Sequence, residues 1–149
     1  MPELDDLYQE IILDHNRRPR NFGVLKNATH HADGHNPLCG DEITVFVHVE
    51  GDRITEITFD GQGCAISKAS ASLMTMRLKG RTLAEAREIM RDVRTLLTGP
   101  EGNEPDLEKL GDIAALAGVR KFAVRVKCAT LAWHTLEAAL ENKGEVSTE

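Results

Sequence analysis

Apolar residues at the start of the chain recur at helical spacing and then change to a period of two. The helical set predicts a first helix that ends near Arg17, ahead of Pro19. Its members are Leu4, Leu7, Tyr8, Ile11 and Ile12. Residues 18–37 are rich in Arg, Asn, Gly, Pro and His, which predicts a loop with a short edge strand at 29–32. Valine and isoleucine then occupy every second position at 42–50, which predicts a strand with one apolar face.

A hairpin and a helix are predicted next. The Gly-Asp pair at 51–52 is a two-residue turn signal that returns the chain as a strand at 53–60. The Gly-Gln-Gly run at 61–63 should end this strand. A segment rich in Ala, Ser, Leu and Met follows at 65–79 and predicts a helix, so Cys64 stands at a helix N-terminus.

Three further helices complete the prediction. The third begins at a capping box whose first residue is Thr82. After a loop at 98–105, Asp106 should cap a short helix that ends at Gly118. The last helix is predicted at 124–141.

Composition and the order of elements define the class of protein. The 149 residues are 41% hydrophobic and 28% charged, which is typical of a soluble globular protein and fits a single domain over 1–149. We expect an α+β fold, with a small antiparallel sheet of about three strands and helices packed on one face. The net charge of −6 argues against nucleic-acid binding, and the short apolar runs argue against membrane insertion. A small acidic domain of this kind is expected to be a monomer.

The three cysteines, Cys39, Cys64 and Cys128, are the candidate chemical groups. Their odd number and the absence of an export signal favour the reducing cytoplasm. Cys39 lies in a loop, and Cys64 lies where a helix dipole favours a thiolate. Cys128 has Arg125 and Lys127 nearby, two cations that would favour a thiolate or an incoming anionic sulfur.

The residue types suit a metal site without identifying the metal. Three thiolates and one oxygen ligand fit tetrahedral zinc, and iron–sulfur chemistry is also open. The cysteine spacing differs from that of a zinc finger, so spacing alone does not decide whether the three share one ion. His30, His31 and His35 lie on a polar loop, where solvated side chains are expected rather than ligands.

Each cysteine belongs to a short motif. The motifs are Asn36-Pro37-Leu38-Cys39-Gly40-Asp41, Gly61-Gln62-Gly63-Cys64-Ala65-Ile66-Ser67 and Lys127-Cys128-Ala129. In this order, over nearly the whole chain, they resemble the signatures of the IscU/NifU N-terminal domain family of iron–sulfur cluster assembly proteins. The chain is most similar to the SufU branch, because residues 98–119 resemble the insertion of that branch. Lys127 also stands where the IscU scaffold branch has a histidine.

This resemblance implies a site and an activity. The implied zinc ligands are Cys39, Asp41, Cys64 and Cys128, with Arg125 as a supporting cation at the catalytic site. The implied activity is that of a zinc-dependent sulfurtransferase, which accepts persulfide sulfur from a SufS-type cysteine desulfurase and supplies a downstream iron–sulfur scaffold. Docking of the desulfurase would exchange one ligand and free Cys39 as the catalytic acceptor.

Two alternatives remain open at this point. One is a scaffold on which a [2Fe–2S] cluster is built and transferred. The other is a structural zinc module without sulfur chemistry. Asp41 disfavours the second alternative, because structural zinc sites usually close with cysteine or histidine ligands.

Overall fold

The computed structural model describes residues 2–99, 110–142 and 144–147. The elements are α1 Pro2–Arg17, β1 His30–Asn36, β2 Asp41–Glu50, β3 Arg53–Gln62, α2 Ala65–Leu78, α3 Leu83–Thr98, a 3₁₀ segment Gly111–Lys121, α4 Ala123–Leu140 and β4 Glu145–Ser147. The predicted cap Asp106 and most of the predicted loop at 98–105 lie outside the described residues. Within the described parts, every helix is too short or too polar to span a bilayer.

The sheet has the strand order β3-β2-β1-β4. The first three strands are antiparallel, which confirms the predicted α+β fold, and the short β4 adds a parallel pairing to β1. Ile43, Val45 and Val47 of β2 are buried, and α4 packs against β1 and β2 while α2 packs against β3. The period-two pattern therefore marks the face that the helices cover.

A bulge in the β2–β3 hairpin places two isoleucines on the same face. Residues three apart in a regular strand point to opposite faces, yet Ile54 and Ile57 are both fully buried. The register shifts between His48 and Val49, which leaves one extra residue in β3. The bulge thus lets both side chains enter the core. At its other end, β3 runs to Gln62 rather than ending at residue 60 as predicted.

Strand β1 is longer than its sequence predicts. The expected edge strand at 29–32 extends to Asn36, which pairs with Asp41 of β2. Glycine and asparagine are poor strand formers, but here β2 and β4 pair with the backbone on both sides, so tertiary pairing overrides propensity. As a result, the loop that contains Cys39 is a tight hairpin turn at 37–40.

The predicted short helix does not end at Gly118. A 3₁₀ segment runs through Gly118 to Lys121 instead. Its large buried apolar side chains recur every third position, which matches the three residues per turn of a 3₁₀ helix. These residues are Leu110, Ile113, Leu116 and Val119. Arg120 also ties the segment to α3, because its guanidinium donates to the carbonyls of Leu96 and Gly99 at the end of that helix.

A buried histidine on α1 forms a hydrogen bond with α2. His15 is 3% exposed, and its Nδ1 lies 2.7 Å from the Ser72 hydroxyl oxygen, which also accepts the Arg20 backbone N–H at 2.8 Å. Burial lowers the pKa of His15, and the charge of Arg20 lowers it further, whereas Asp14 and Asp112 raise it. The neutral imidazole is therefore the form that fits the fold.

The free energy of unfolding is expected to fall as the pH falls below the ordinary histidine pKa of 6.5. Since the pKa of His15 is lower in the folded protein, the unfolded chain binds more protons in that window. The loss should reach at most about 1.4 kcal/mol per pH unit for this one group. Urea unfolding at several pH values between 5 and 7.5 would measure it. His15→Asn, which keeps a polar atom near Ser72 but does not titrate, should flatten the curve. An unchanged curve in His15→Asn would contradict the assignment.

Candidate metal centre

Cys39 is presented by the turn between β1 and β2. The backbone carbonyl of Asn36 accepts the N–H groups of Cys39 at 3.2 Å and Gly40 at 2.9 Å, which closes the turn. Gly40 has a φ of +71°, a backbone conformation that glycine adopts without strain. The turn residues 37–40 are all exposed, so the Cys39 thiol is held on a short, accessible loop.

Cys64 lies at the N-terminus of α2, as the sequence predicts. It is the N-cap residue, and its sulfur accepts the Ser67 N–H at 3.5 Å. Its own N–H donates to Asp41 Oδ1 at 2.8 Å. Gly63 allows this approach, because a Cβ at that position would lie 2.7 Å from the same carboxylate oxygen. The hydrogen bond to Asp41 thus holds the Cys64 backbone at the start of α2, where the helix dipole favours a thiolate.

Cys128 lies in the second turn of α4 and is 2% exposed. Burial raises the pKa of the Cys128 thiol, and hydrogen bonds to Cys39 and Cys64 together with the charge of Asp41 raise it further. The sequence predicts that Arg125 and Lys127 favour a thiolate at Cys128, but the effects of burial and of the acidic neighbours raise the pKa instead. Those cations do not reverse the cost of charging a thiol that lies in the interior beside other acidic groups. A bound metal ion would supply the missing positive charge, since a coordinating thiol is deprotonated.

Three of the four predicted ligands form a compact group, and Cys64 lies beside that group without belonging to it. The sulfurs of Cys39 and Cys128 lie 3.2 Å apart, and both cysteines are free. The ligand atoms of Cys39, Asp41 and Cys128 all lie within 4.8 Å of one another. The Cys64 sulfur lies 3.8 Å from Asp41 Oδ2. Asp41 is 1% exposed, and a buried carboxylate beside three thiols is a donor set that fits zinc.

An open cleft of about 940 Å³ leads to the thiols. Its walls come from α1, the start of α2, the 3₁₀ segment and the start of α4, and all three cysteines line it. Phe122 and Val124 are exposed on one wall, and the Arg125 guanidinium lies over the Phe122 ring at 4.8 Å. Arg125 therefore belongs to the same cleft as the thiols, on its surface side.

The three histidines before the first motif take other partners along β1. His30 contacts the Thr29 hydroxyl at 2.8 Å, and the His31 ring stacks on Phe46. His35 Nδ1 lies 4.0 Å from a carboxylate oxygen of Glu42. Within the described parts of the chain, the compact group of metal-ligating side chains contains no histidine. Its members are Cys39, Asp41 and Cys128.

Sequence reasoning missed Asn36 as a member of the site. Its side-chain amide donates to Asp41 Oδ2 at 3.4 Å and to the Cys128 sulfur at 3.5 Å. The available signal was its position five residues before Asp41. If β1 extended to Asn36, the two residues would pair across a hairpin. The short predicted strand hid this pairing.

The fold and the site define a small α+β protein in which three thiols and one carboxylate meet below a cleft. The family model described as the NifU-like N-terminal domain matches residues 7–129, and the chain belongs to this family of iron–sulfur cluster assembly proteins. The zinc-dependent sulfurtransferase SufU of Bacillus subtilis is 45% identical over 134 residues, which cover 90% of this chain and 89% of that protein.

A scaffold protein and a solved structure are also similar. The iron–sulfur cluster assembly scaffold protein IscU of Streptococcus pyogenes is 38% identical over 141 residues, covering 95% of this chain and 87% of that protein. A crystal structure from Fervidobacterium islandicum, described as an iron–sulfur cluster assembly scaffold of the SUF system, superposes with a TM-score of 0.81. It is 38% identical, covering 88% of this chain and 94% of that one.

Proposed function

We propose that this protein is a zinc-binding sulfur acceptor of iron–sulfur cluster assembly. It takes persulfide sulfur from a cysteine desulfurase of the SufS type and delivers it to a downstream iron–sulfur scaffold in the cytoplasm. The observation that supports this most is the convergence of three free thiols and a buried carboxylate, of which one thiol is exposed at a cleft. Cys39, Asp41, Cys64 and Cys128 would hold the zinc, which would keep their thiols deprotonated.

Cys39 is the acceptor in this proposal. Its thiolate attacks the terminal sulfur of the desulfurase cysteine persulfide, a new sulfur–sulfur bond forms on Cys39, and the old bond breaks to release the desulfurase thiolate. The step exchanges one sulfur–sulfur bond for another, so no external oxidant or reductant is needed. Cys39 suits the role because it is exposed on a short turn, whereas Cys128 is buried in a helix.

Arg125 and the cleft suit the approach of a persulfide. A persulfide is anionic, and the Arg125 guanidinium offers a positive charge on the cleft wall that also contains the thiols. The exposed Phe122 and Val124 provide apolar surface around that charge. A cysteine-bearing loop of the desulfurase could therefore bury apolar atoms while its sulfur reaches Cys39.

Lys127 favours sulfur transfer over cluster building. It stands beside Cys128, where the scaffold branch has a histidine, and a lysine ammonium does not ligate metal while it is protonated. The name of the Bacillus relative points the same way. The second candidate, a scaffold for a [2Fe–2S] cluster, is favoured by the name of the Streptococcus relative.

Metal analysis tests the choice between these two functions. Protein purified without oxygen is expected to be colourless and to contain zinc at one ion per chain, because the donor set of three sulfurs and one oxygen suits that ion. Cys128→Ser should lose most of the zinc. Thr130→Ser, a small change at a buried position on the same helix, should retain it. A coloured cluster that withstands a chelator would contradict the proposal and support the scaffold function.

A further inference from the structure

Asn36 occupies the centre of the site without being one of its predicted ligands. It is the last residue of β1, is 1% exposed and pairs with Asp41 across the hairpin. Its side-chain nitrogen reaches Asp41 Oδ2 at 3.4 Å and the Cys128 sulfur at 3.5 Å. The distance to sulfur is ordinary for an N–H···S hydrogen bond, because sulfur is larger than oxygen. One amide therefore touches groups from a strand and from a helix.

The orientation of this amide is informative. Its carbonyl oxygen is buried and has no hydrogen-bond partner among the described residues. Leaving a buried acceptor unpaired costs free energy, so the gain from the donor end must outweigh it. The reverse orientation would place the amide oxygen against the Asp41 carboxylate, an acceptor facing an acceptor. The site is thus arranged for a Cys128 sulfur that accepts a hydrogen bond.

Cys39 is held in a different way. The backbone carbonyl of Asn36 closes the turn that carries Cys39, while the Cys39 sulfur has Cys128 as its hydrogen-bond partner. A hydrogen bond withdraws electron density from a sulfur and fixes its direction, which weakens it as a nucleophile. Asn36 therefore contacts the Cys128 sulfur directly with its side chain, whereas it holds the exposed Cys39 turn only through its backbone carbonyl.

We propose that Asn36 is a positioning residue that makes Cys128 and Asp41 the stationary part of the site and leaves Cys39 as the reactive thiol. This inference rests on the proposed metal-binding function. Asn36 acts through Cys128 and Asp41 and does not itself react with sulfur.

Cobalt(II) binding tests this role without the desulfurase. The parent protein, loaded with cobalt(II) alone, should show sulfur-to-cobalt charge-transfer absorption. Asn36→Leu, which keeps the approximate shape but removes both amide N–H groups, should shift this band. It should also release cobalt to a chelator about tenfold faster or more, because removing a group that orients a metal ligand typically weakens metal binding by about tenfold or more. In Asn36→Ser the hydroxyl is too short to reach Cys128, so this variant should also show a shifted band and faster cobalt release. If Asn36→Leu does not fold, Asn36→Ser serves as the test.

A control variant separates positioning from loss of stability. Thr135→Val removes a buried hydroxyl about two turns further along α4, where Thr135 donates to the Leu131 carbonyl rather than to the site. It should leave the absorption band and the release rate unchanged. If the folded Asn36 variants match Thr135→Val in both measurements, the role of Asn36 is overturned. Failure of the parent protein to bind cobalt or zinc would instead overturn the proposed function.

Discussion

Replacing Cys39 with serine is expected to reduce sulfur acceptance from the desulfurase to the background seen without that enzyme. The serine hydroxyl remains protonated and is a far weaker nucleophile than a thiolate, so it cannot attack the persulfide. Cys39 is exposed on its turn, whereas Cys128 is only 2% exposed. Mass spectrometry of the chain after reaction with a loaded desulfurase should show one added sulfur in the parent protein. That sulfur should map to the peptide that contains Cys39.

Cys64→Ser is the matched variant for this experiment. It removes a thiol from the same site but keeps the acceptor, so sulfur should still appear on Cys39 even though zinc is held less well. Normal transfer to Cys39→Ser would show that another thiol accepts the sulfur, and the assignment would then be wrong. Comparing the two variants therefore distinguishes loss of the nucleophile from loss of the metal.

Gly61→Ala is expected to cause a large loss of stability. Gly61 has a φ of +125°, and a Cβ there would lie 2.0 Å from the backbone oxygen of Glu42. The Glu42 oxygen belongs to a strand backbone, which cannot move aside as a flexible side chain can. The pairing of β2 with β3 must therefore open next to Asp41. We expect the free energy of unfolding to fall by about 3 kcal/mol or more, which urea denaturation would measure.

Gly51→Ala provides the comparison for that result. Gly51 also has a positive φ, of +63°, but no atom lies within 4 Å of a Cβ at this position. Its cost should be only the backbone strain of a left-handed residue, about 1 kcal/mol. If Gly61→Ala and Gly51→Ala lower the free energy of unfolding by the same amount, the contact with the Glu42 carbonyl does not explain why position 61 needs glycine.

Several elements could be predicted because their signals are local. The capping box at Thr82 and Glu85 forms as expected, with both reciprocal hydrogen bonds. The Gly-Asp turn joins β2 to β3, where Glu50 pairs with Arg53. Each of these depends on residues a few positions apart, so the sequence contains the whole interaction.

Other elements could not be predicted because they depend on distant partners. The length of β1 is set by pairing with β2 and β4, and the path of the 3₁₀ segment is set by burial of its every third residue. The pKa of the Cys128 thiol follows from burial and from Cys39 and Cys64, which outweigh the cations adjacent in sequence. Secondary-structure propensity and neighbours in sequence therefore cannot predict the strand length, the path of the segment or this pKa.

The sequence by itself determined the family, the α+β class and the identity of four candidate ligands, since these follow from short motifs in a fixed order. The sequence also predicted that Cys39 lies in a loop, but only the tertiary structure decided how deeply the other ligands are buried and which groups they contact. It placed Cys39 on an exposed turn, Cys128 in the interior, and the Asn36 amide between Cys128 and Asp41. The physical reason is that exposure and hydrogen bonding at each sulfur are set by groups from other strands and helices, which come together only when the chain folds.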